Sequence, residues 1–203
     1  HDMILIRENN PSALLRAINR SFSVEKLVEV RQKTQLLLKR YLQQNLNIVF
    51  IAKVVSEIND ALTTKAIELA IEAIGQRPPV AFAWMALGSQ GRREQVLLTD
   101  QDNAIVFEDT THNNAVRTYF LTLAQKVTQT LHQIGFEYCP ADMMASNKRW
   151  CLSVSEWEEQ YKKWIFAPTD QNILLCSIFF DFQTVCGETT LSDQLMQTIH
   201  QST

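Results

Sequence analysis

The first part of the chain carries apolar residues at helical spacing. Between residues 11 and 45 they recur every three or four positions, with an interruption near residues 21–23. This pattern predicts a short helix, a break, and a long amphipathic helix that ends at about Gln44. A second long pattern predicts a helix from about Ile48 to Ile74, with Gly75 as its C-terminal cap. We expect the two long helices to form an antiparallel hairpin.

The second part of the chain alternates between strand-like and helical patterns. Val80 to Leu87 is a nearly continuous apolar run, which is typical of a strand buried on both faces. Ala104 to Phe107 is a second such run, and the pattern from Ala115 to Ile134 predicts a helix. A short strand is predicted over Phe136 to Cys139.

The last third of the chain predicts two helices, a strand and a terminal helix. Ser155, with Glu158 three residues later, has the pattern of a capping box, and Pro168 should end the helix that follows. A further helix should start at Thr169 or Asp170 and end at about Cys176. Ser177 to Val185 is then the last strong strand candidate, before a helix that runs from about residue 190 to residue 200.

The candidate chemistry lies between the first two apolar runs. Gly88 and Ser89 break the first run, and a glycine there lets a ligand approach the main chain. Arg92 carries a planar guanidinium that suits phosphate oxygens. Asp100 and Asp102 then lead into the second run, and on one strand their side chains would share a face. Two carboxylates beside a phosphate-binding turn predict a Mg²⁺ site.

These motifs resemble a known family. Gly88-Ser89 followed after ten residues by Asp100-Gln101-Asp102 is similar to the signature of the DNA polymerase beta nucleotidyltransferase superfamily. The closer resemblance is to the nucleotidyltransferase family found downstream of CBS and cyclic-nucleotide-binding domains in bacterial signalling proteins, which is similar to the uridylyltransferase of the PII signal protein. That closer resemblance rests on further segments as well: residues 88–94, 99–103, 58–63, 144–150 and 179–182.

The resemblance implies an α+β fold, with an N-terminal helical hairpin packed on a nucleotidyltransferase-type mixed β-sheet core that has flanking helices. We expect residues 1–79 to form the helical region and residues 80–203 the core with its C-terminal helix, as part of a longer protein. The expected reaction transfers a nucleoside monophosphate from an NTP to a hydroxyl group, and a protein is the favoured acceptor. Two Mg²⁺ ions would serve as cofactors, and CBS or cyclic-nucleotide-binding domains would be partners in the full-length chain.

The resemblance also extends the predicted site beyond the central stretch. Asp100, Asp102 and Asp181 are the expected catalytic and metal-binding carboxylates. Asp181 is an aspartate between phenylalanines in an apolar run, and burying it would be costly without a cation or hydrogen bonds. An exposed edge-strand position is the alternative for Asp181. The expected nucleotide-binding residues are the following: Gly88, Ser89, Arg92, Ser146, Asn147 and Arg149.

Several residues near these motifs have simpler explanations. The segment around Ser146 is also consistent with a solvated turn, and Arg93 is expected to face solvent. Asn59 and Asp60 are an unfavourable pair within a helix, and packing against Arg92 would be a sufficient reason for them. Gln101 and Asn103 depart from the superfamily pattern, which places apolar residues after each carboxylate. Because of that departure, the sequence does not decide between a chain that catalyses the reaction and one that only binds nucleotide.

The composition of the chain indicates the class of protein, its partners and its location in the cell. The 203 residues are 46% hydrophobic and 20% charged, which is ordinary for a globular protein, and the net charge of -3 gives no argument for nucleic acid as the main partner. No run approaches a membrane span, no signal peptide is visible, and a cytoplasmic location is expected. The cysteines are Cys139, Cys151, Cys176 and Cys186, and their scattered positions predict reduced thiols.

Two other functional hypotheses compete with the enzyme. A chain of this fold could bind NTP without turnover and act as a regulatory or interaction module. Alternatively, the N-terminal helices could serve mainly as a dimerisation or interdomain coupling device, which keeps a homodimer open.

Overall fold

The computed structural model describes residues 10–93 and 100–203. Within these ranges the chain forms eight α-helices, six β-strands and one 3-10 helix. The helices are α1 (Pro11–Asn19), α2 (Val24–Gln43), α3 (Ile48–Ile74), α4 (Gly88–Gly91), α5 (Asn113–Ile134), α6 (Val154–Phe166), α7 (Asp170–Phe179) and α8 (Thr189–Ser202). The strands are β1 (Phe82–Ala86), β2 (Asp100–Gln101), β3 (Asn103–Phe107), β4 (Glu137–Tyr138), β5 (Cys151–Ser153) and β6 (Gln183–Gly187). The 3-10 helix spans Lys148–Trp150.

The α+β prediction is confirmed, and the helical hairpin begins and ends almost where the sequence places it. The Ser23 side chain accepts a hydrogen bond from the Lys26 N–H at the start of α2. Gly75 ends α3 with φ 71°, a left-handed conformation that glycine adopts without steric cost. Among the described helices, none has the length and apolar character needed to cross a membrane.

A four-stranded mixed sheet forms the centre of the fold, in the order β5-β3-β1-β6. Strand β1 is antiparallel to both of its neighbours, β3 and β6, and β5 is parallel to β3. The short strands β2 and β4 pair with each other in parallel, outside this sheet. Because of these strand directions, the end of β1 and the starts of β3, β5 and β6 all lie at the same end of the sheet.

The sheet separates two apolar cores, which explains the uninterrupted hydrophobic runs. Along β1, Phe82 and Trp84 face the core formed with α1, α2, α3 and α5. Ala83 and Met85 face the opposite core, formed with α6, α7 and α8. A strand buried on both faces has no position for a polar side chain, so the polar residues needed for chemistry lie where the strands end.

Two predicted boundaries in the last third of the chain are wrong. The N-cap predicted at Ser155 lies two residues earlier, at Ser153, because Ser153 and Glu156 form the capping box that Ser155 and Glu158 were expected to make. The strand predicted over Ser177 to Val185 is divided. Its first part continues helix α7 to Phe179, and β6 begins only at Gln183.

Candidate active site

The site is organised by a short turn after β1, which we call the glycine turn (Gly88–Arg93). Gly88 has φ 54°, and a Cβ on it would lie 3.3 Å from Oδ2 of Asp102. A Cβ on Gly91 would lie 2.2 Å from the carbonyl oxygen of Asp181 and 2.8 Å from that of Ala86. Neither backbone oxygen can move out of the way without shifting its strand or bend. The turn is therefore packed tightly between the side chain of Asp102 and the backbone of Asp181, two of the predicted catalytic residues.

The acidic segment (Asp100–Asn103) meets the glycine turn because β1 and β3 are antiparallel. Ala86 pairs with Asn103, and the Leu87 N–H donates to the carbonyl of Asp102 at 2.9 Å. The sequence placed the two carboxylates on one face on the condition that they share a strand, and the structure does not meet that condition. Asp100 belongs to β2, and Asp102 lies between β2 and β3. They nevertheless remain close enough for the charge of Asp100 to affect the pKa of Asp102.

The two residues that depart from the superfamily pattern anchor the acidic segment. Gln101 is 1% exposed, and its Nε2 donates to the carbonyl oxygens of Thr128 at 3.0 Å and Phe136 at 3.4 Å. Asn103 is also 1% exposed, and its Oδ1 accepts from the Ala145 N–H at 2.7 Å. Alternate residues of the segment thus point inward as buried hydrogen-bonding groups and leave Asp100 and Asp102 on the other side. Gln101 and Asn103 fix the position of the acidic pair.

Asp102 lies in an environment that disfavours its charge. Burial raises the pKa of its carboxyl group, and the nearby charge of Asp100 raises it further. A hydrogen bond from the Cys139 thiol acts in the opposite direction and stabilises the carboxylate. All four cysteines are free, as predicted, but Cys139 is not simply a core residue. Its contact with Asp102 is long-range in sequence, and no local motif pointed to it.

Asp181 lies on the other side of the glycine turn. It occupies a bend between α7 and β6, and its side chain is 57% exposed, so the expected location on a strand is wrong. Its Oδ2 lies 3.8 Å from Nη1 of Arg92. Over residues 10–93 and 100–203, no three or more histidine, cysteine, aspartate or glutamate side chains form a group arranged to hold a metal ion. The role of Asp181 as a third metal ligand stays a prediction.

The sequence suggested that Arg93 faces solvent, but its side chain contacts two other residues. It has φ 58°, and its Nη2 lies 3.5 Å from Oδ2 of Asp60 on α3. Its Nε donates to Oε1 of Gln183 at 3.0 Å. The neighbouring Asn59 has a separate partner, since its Oδ1 accepts from Nη1 of the buried Arg31 at 2.9 Å. The unfavourable pair in α3 is thus explained by two arginines, neither of which is Arg92.

The loop from residue 142 to residue 149 lies at the same end of the sheet, because β5 is parallel to β3. The Asn103 N–H donates to the Met143 carbonyl, which joins the loop to the acidic segment. Asn147 caps the 3-10 helix and donates to the Asp142 carboxylate at 2.9 Å. Arg149 is exposed and stacks over the Trp150 ring at 4.8 Å. Ser146 is half-buried. Nucleotide contacts by Ser146, Asn147 and Arg149 stay predictions.

Two positions of the family motif, Glu94 and Thr99, lie outside the described residues. The segments on either side of them are nevertheless the ones that meet in space. Segments that are far apart in sequence, around residues 88, 102, 145 and 181, converge on one end of the sheet through strand direction alone.

Comparison with known proteins identifies a family for the chain. No curated protein matches the chain. A family model described as Putative nucleotidyltransferase DUF294 matches residues 32–171, which covers most of the helical hairpin, the glycine turn, the acidic segment and the loop after residue 142. Asp181 lies beyond the matched range. Since the match covers more than half of the 203 residues, the chain belongs to the Putative nucleotidyltransferase DUF294 family.

Proposed function

We propose that this domain transfers a nucleoside monophosphate from an NTP to a hydroxyl group in a Mg²⁺-dependent reaction. The observation that carries the proposal is the contact between the glycine turn and the acidic segment, where Asp102 Oδ2 lies 3.3 Å from the position that a Gly88 Cβ would take. A side chain at residue 88 would press on this carboxylate. Family membership supports nucleotidyl transfer as the reaction class.

The donor chemistry of the acidic segment fits a hard divalent cation. Asp100 and Asp102 supply carboxylate oxygens, which Mg²⁺ prefers as ligands. Burial and a like-charged neighbour both disfavour the ionised form of Asp102, and a bound cation would relieve both penalties. When bound, Mg²⁺ stabilises negative charge on the phosphate oxygens. Asp181 is proposed as the further acidic ligand, across the glycine turn.

Other residues of the chain are proposed to bind the nucleotide and to hold the carboxylates in place. Gly88 leaves room for a phosphate beside the main chain, and Ser89 places a hydroxyl next to it. Arg92 adds a positive charge on the outer side of the turn, where its side chain is 40% exposed. Gln101 and Asn103 hold the two carboxylates in position, so that little reorganisation is needed when the nucleotide binds. Ser146, Asn147 and Arg149 are proposed to border the nucleotide.

The acceptor and setting follow from the resemblance to signalling nucleotidyltransferases. We propose a hydroxyl on a protein as the acceptor, in bacterial signal transduction, with CBS or cyclic-nucleotide-binding domains elsewhere in the full-length chain. Reaction in cell extract with each α-labelled NTP and Mg²⁺ tests this proposal directly. We expect labelled protein with the wild type and a loss of at least about a hundredfold with Asp102→Asn, the size expected for a ligand of a catalytic metal.

A second candidate function is nucleotide binding without turnover. It is favoured by Asp181, whose side chain is exposed and lies near Arg92 in the described structure. Calorimetry with each NTP and Mg²⁺ separates the two functions. Tight binding with no labelled product from any NTP would support the regulatory module. No binding at all would count against both.

A further inference from the structure

We propose that Asp60 is a positioning residue for the glycine turn, so that the helical hairpin forms part of the nucleotide-binding unit. The inference rests on the proposed function for its effect on nucleotide, and on contacts alone for its effect on the turn. Asp60 belongs to α3, and its Oδ2 lies 3.5 Å from Nη2 of Arg93. Arg93 is the last residue of the glycine turn.

The partners of Arg93 lie on two different elements. Its Nη2 faces Asp60 on α3, and its Nε donates to Gln183, the first residue of β6. The rigid planar fork of a guanidinium fixes the relative position of two such acceptors better than an ammonium can. Arg93 therefore links the end of the glycine turn to the hairpin and to the strand that follows Asp181.

The backbone at Arg93 needs such support. A residue other than glycine at φ 58° is strained, and such strain persists where surrounding contacts impose it. Two hydrogen bonds inside the turn, from the Arg92 N–H to the Gly88 carbonyl and from the Arg93 N–H to the Gln90 carbonyl, hold the backbone that leads up to Arg93. Loss of the Asp60 contact should loosen the turn from its Arg93 end.

Asp60 is also poorly explained as a residue kept for stability. It is half-buried, and burial raises the pKa of its carboxyl group to about 6, against the opposing effect of Arg93. Arg93 and Glu57 are the charged side chains that act on it. An ionised carboxylate in such a position costs stability at neutral pH, since the folded state holds it less well than water does. A functional role for the carboxylate would explain its presence.

Two measurements on the full chain test the proposal, with Asp60→Asn as the variant. Hydrogen exchange of a peptide over residues 87–93, without nucleotide, reports the turn itself. We expect faster exchange at Gly91, Arg92 and Arg93 in the variant, with no fall in Tm at pH 7.5. Exchange that matches the wild type would overturn the positioning role, whatever the protein binds.

The second measurement is the Kd for a fluorescent NTP analogue with Mg²⁺. We expect a Kd about fivefold weaker in Asp60→Asn, roughly the effect of losing one partly exposed ion pair. Glu72→Gln removes a charge from an exposed position near the C-terminal end of α3, away from Asp60, and is the matched control, expected to keep the wild-type Kd. An unchanged Kd in Asp60→Asn would refute the link to nucleotide. A wild type that binds no analogue would refute the proposed function, while the exchange measurement would still decide the role of Asp60.

Discussion

The acidic segment and the glycine turn lie side by side, but they are held in place by different forces. Buried hydrogen bonds that Gln101 donates and Asn103 accepts anchor the acidic segment, and these side chains are each 1% exposed. The charged contacts of the glycine turn are half-exposed, and its tight fit comes from backbone packing at Gly91. Water competes weakly for the first kind of contact and strongly for the second. The acidic segment should therefore be rigid, and the glycine turn should adjust when a ligand binds.

The largest effect is expected from filling the space at Gly91. In Gly91→Ala the new methyl group would overlap the backbone of Asp181 and Ala86, and we expect the free energy of unfolding to fall by about 3 kcal/mol. Chemical denaturation measures this change. NTP binding should be lost as well, because the turn must move away from the end of β1 and from the bend at Asp181.

Gly75→Ala is the matched control for Gly91→Ala. Gly75 has a positive φ but nothing within 4 Å of a Cβ, so only backbone strain of about 1 kcal/mol is expected. If both variants were destabilised equally, close packing around Gly91 would not hold the glycine turn.

A smaller loss of stability is expected when the anchor of the acidic segment is made apolar. Asn103→Leu restores the superfamily pattern but leaves the buried Ala145 N–H without its acceptor, which should cost about 2 kcal/mol in the free energy of unfolding. Asn114→Leu, at an exposed position of α5, should change stability by less than about 0.5 kcal/mol. A stable Asn103→Leu variant with full activity would show that the acidic segment needs no polar anchor.

The fold was predicted from sequence to a greater extent than the site. Helices α2, α3 and α5 have strong apolar periodicity, and α3 and α5 end at a glycine cap, so their ends could be placed closely. The acidic pair and the glycine turn were found because they are local motifs. The end of α7 was missed because residues 178–182 are apolar except for Asp181, and a short apolar run does not distinguish a helix from a strand.

The contacts that complete the site could not be predicted from local pattern. Arg93 was expected to face solvent, yet it contacts Asp60, 33 positions earlier, and Gln183, 90 positions later. The Cys139 thiol reaches Asp102 in the same way. Such pairs arise from strand order and helix placement, which are properties of the whole chain.

The charge of Asp60 should give the glycine turn a pH-dependent cost. Because burial raises its pKa from 3.8 to about 6, ionisation is harder in the folded chain, and the stability of the wild type should fall as pH rises through this range. Asp60→Asn removes the effect. The variant and the wild type should be equally stable near pH 3.5. At pH 7 the free energy of unfolding of the variant should be greater by on the order of 1 kcal/mol. A difference that does not change with pH, measured by urea unfolding, would contradict the raised pKa.

The smallest effect on stability is expected from the exposed pair across the turn. Asp181 and Arg92 are 57% and 40% exposed, and Asp181→Asn should change the free energy of unfolding by less than about 0.5 kcal/mol. Nucleotidyl transfer by the same variant should fall at least about a hundredfold if Asp181 binds the metal ion. Normal transfer by the variant would remove Asp181 from the reaction and leave it as a partner of Arg92.

The placement of β6 next to β1 has a consequence for how the chain acquires its structure. Strands β1 and β3 are neighbours in sequence and can pair as soon as residue 107 has left the ribosome, whereas Ala86 must wait for Gln183. Contacts across such a separation form slowly, because a long loop must close first. During synthesis, the acidic segment should therefore reach its position well before the bend at Asp181 closes over Gly91. A nascent chain arrested before residue 180 would present an open half of the site to chaperones and proteases.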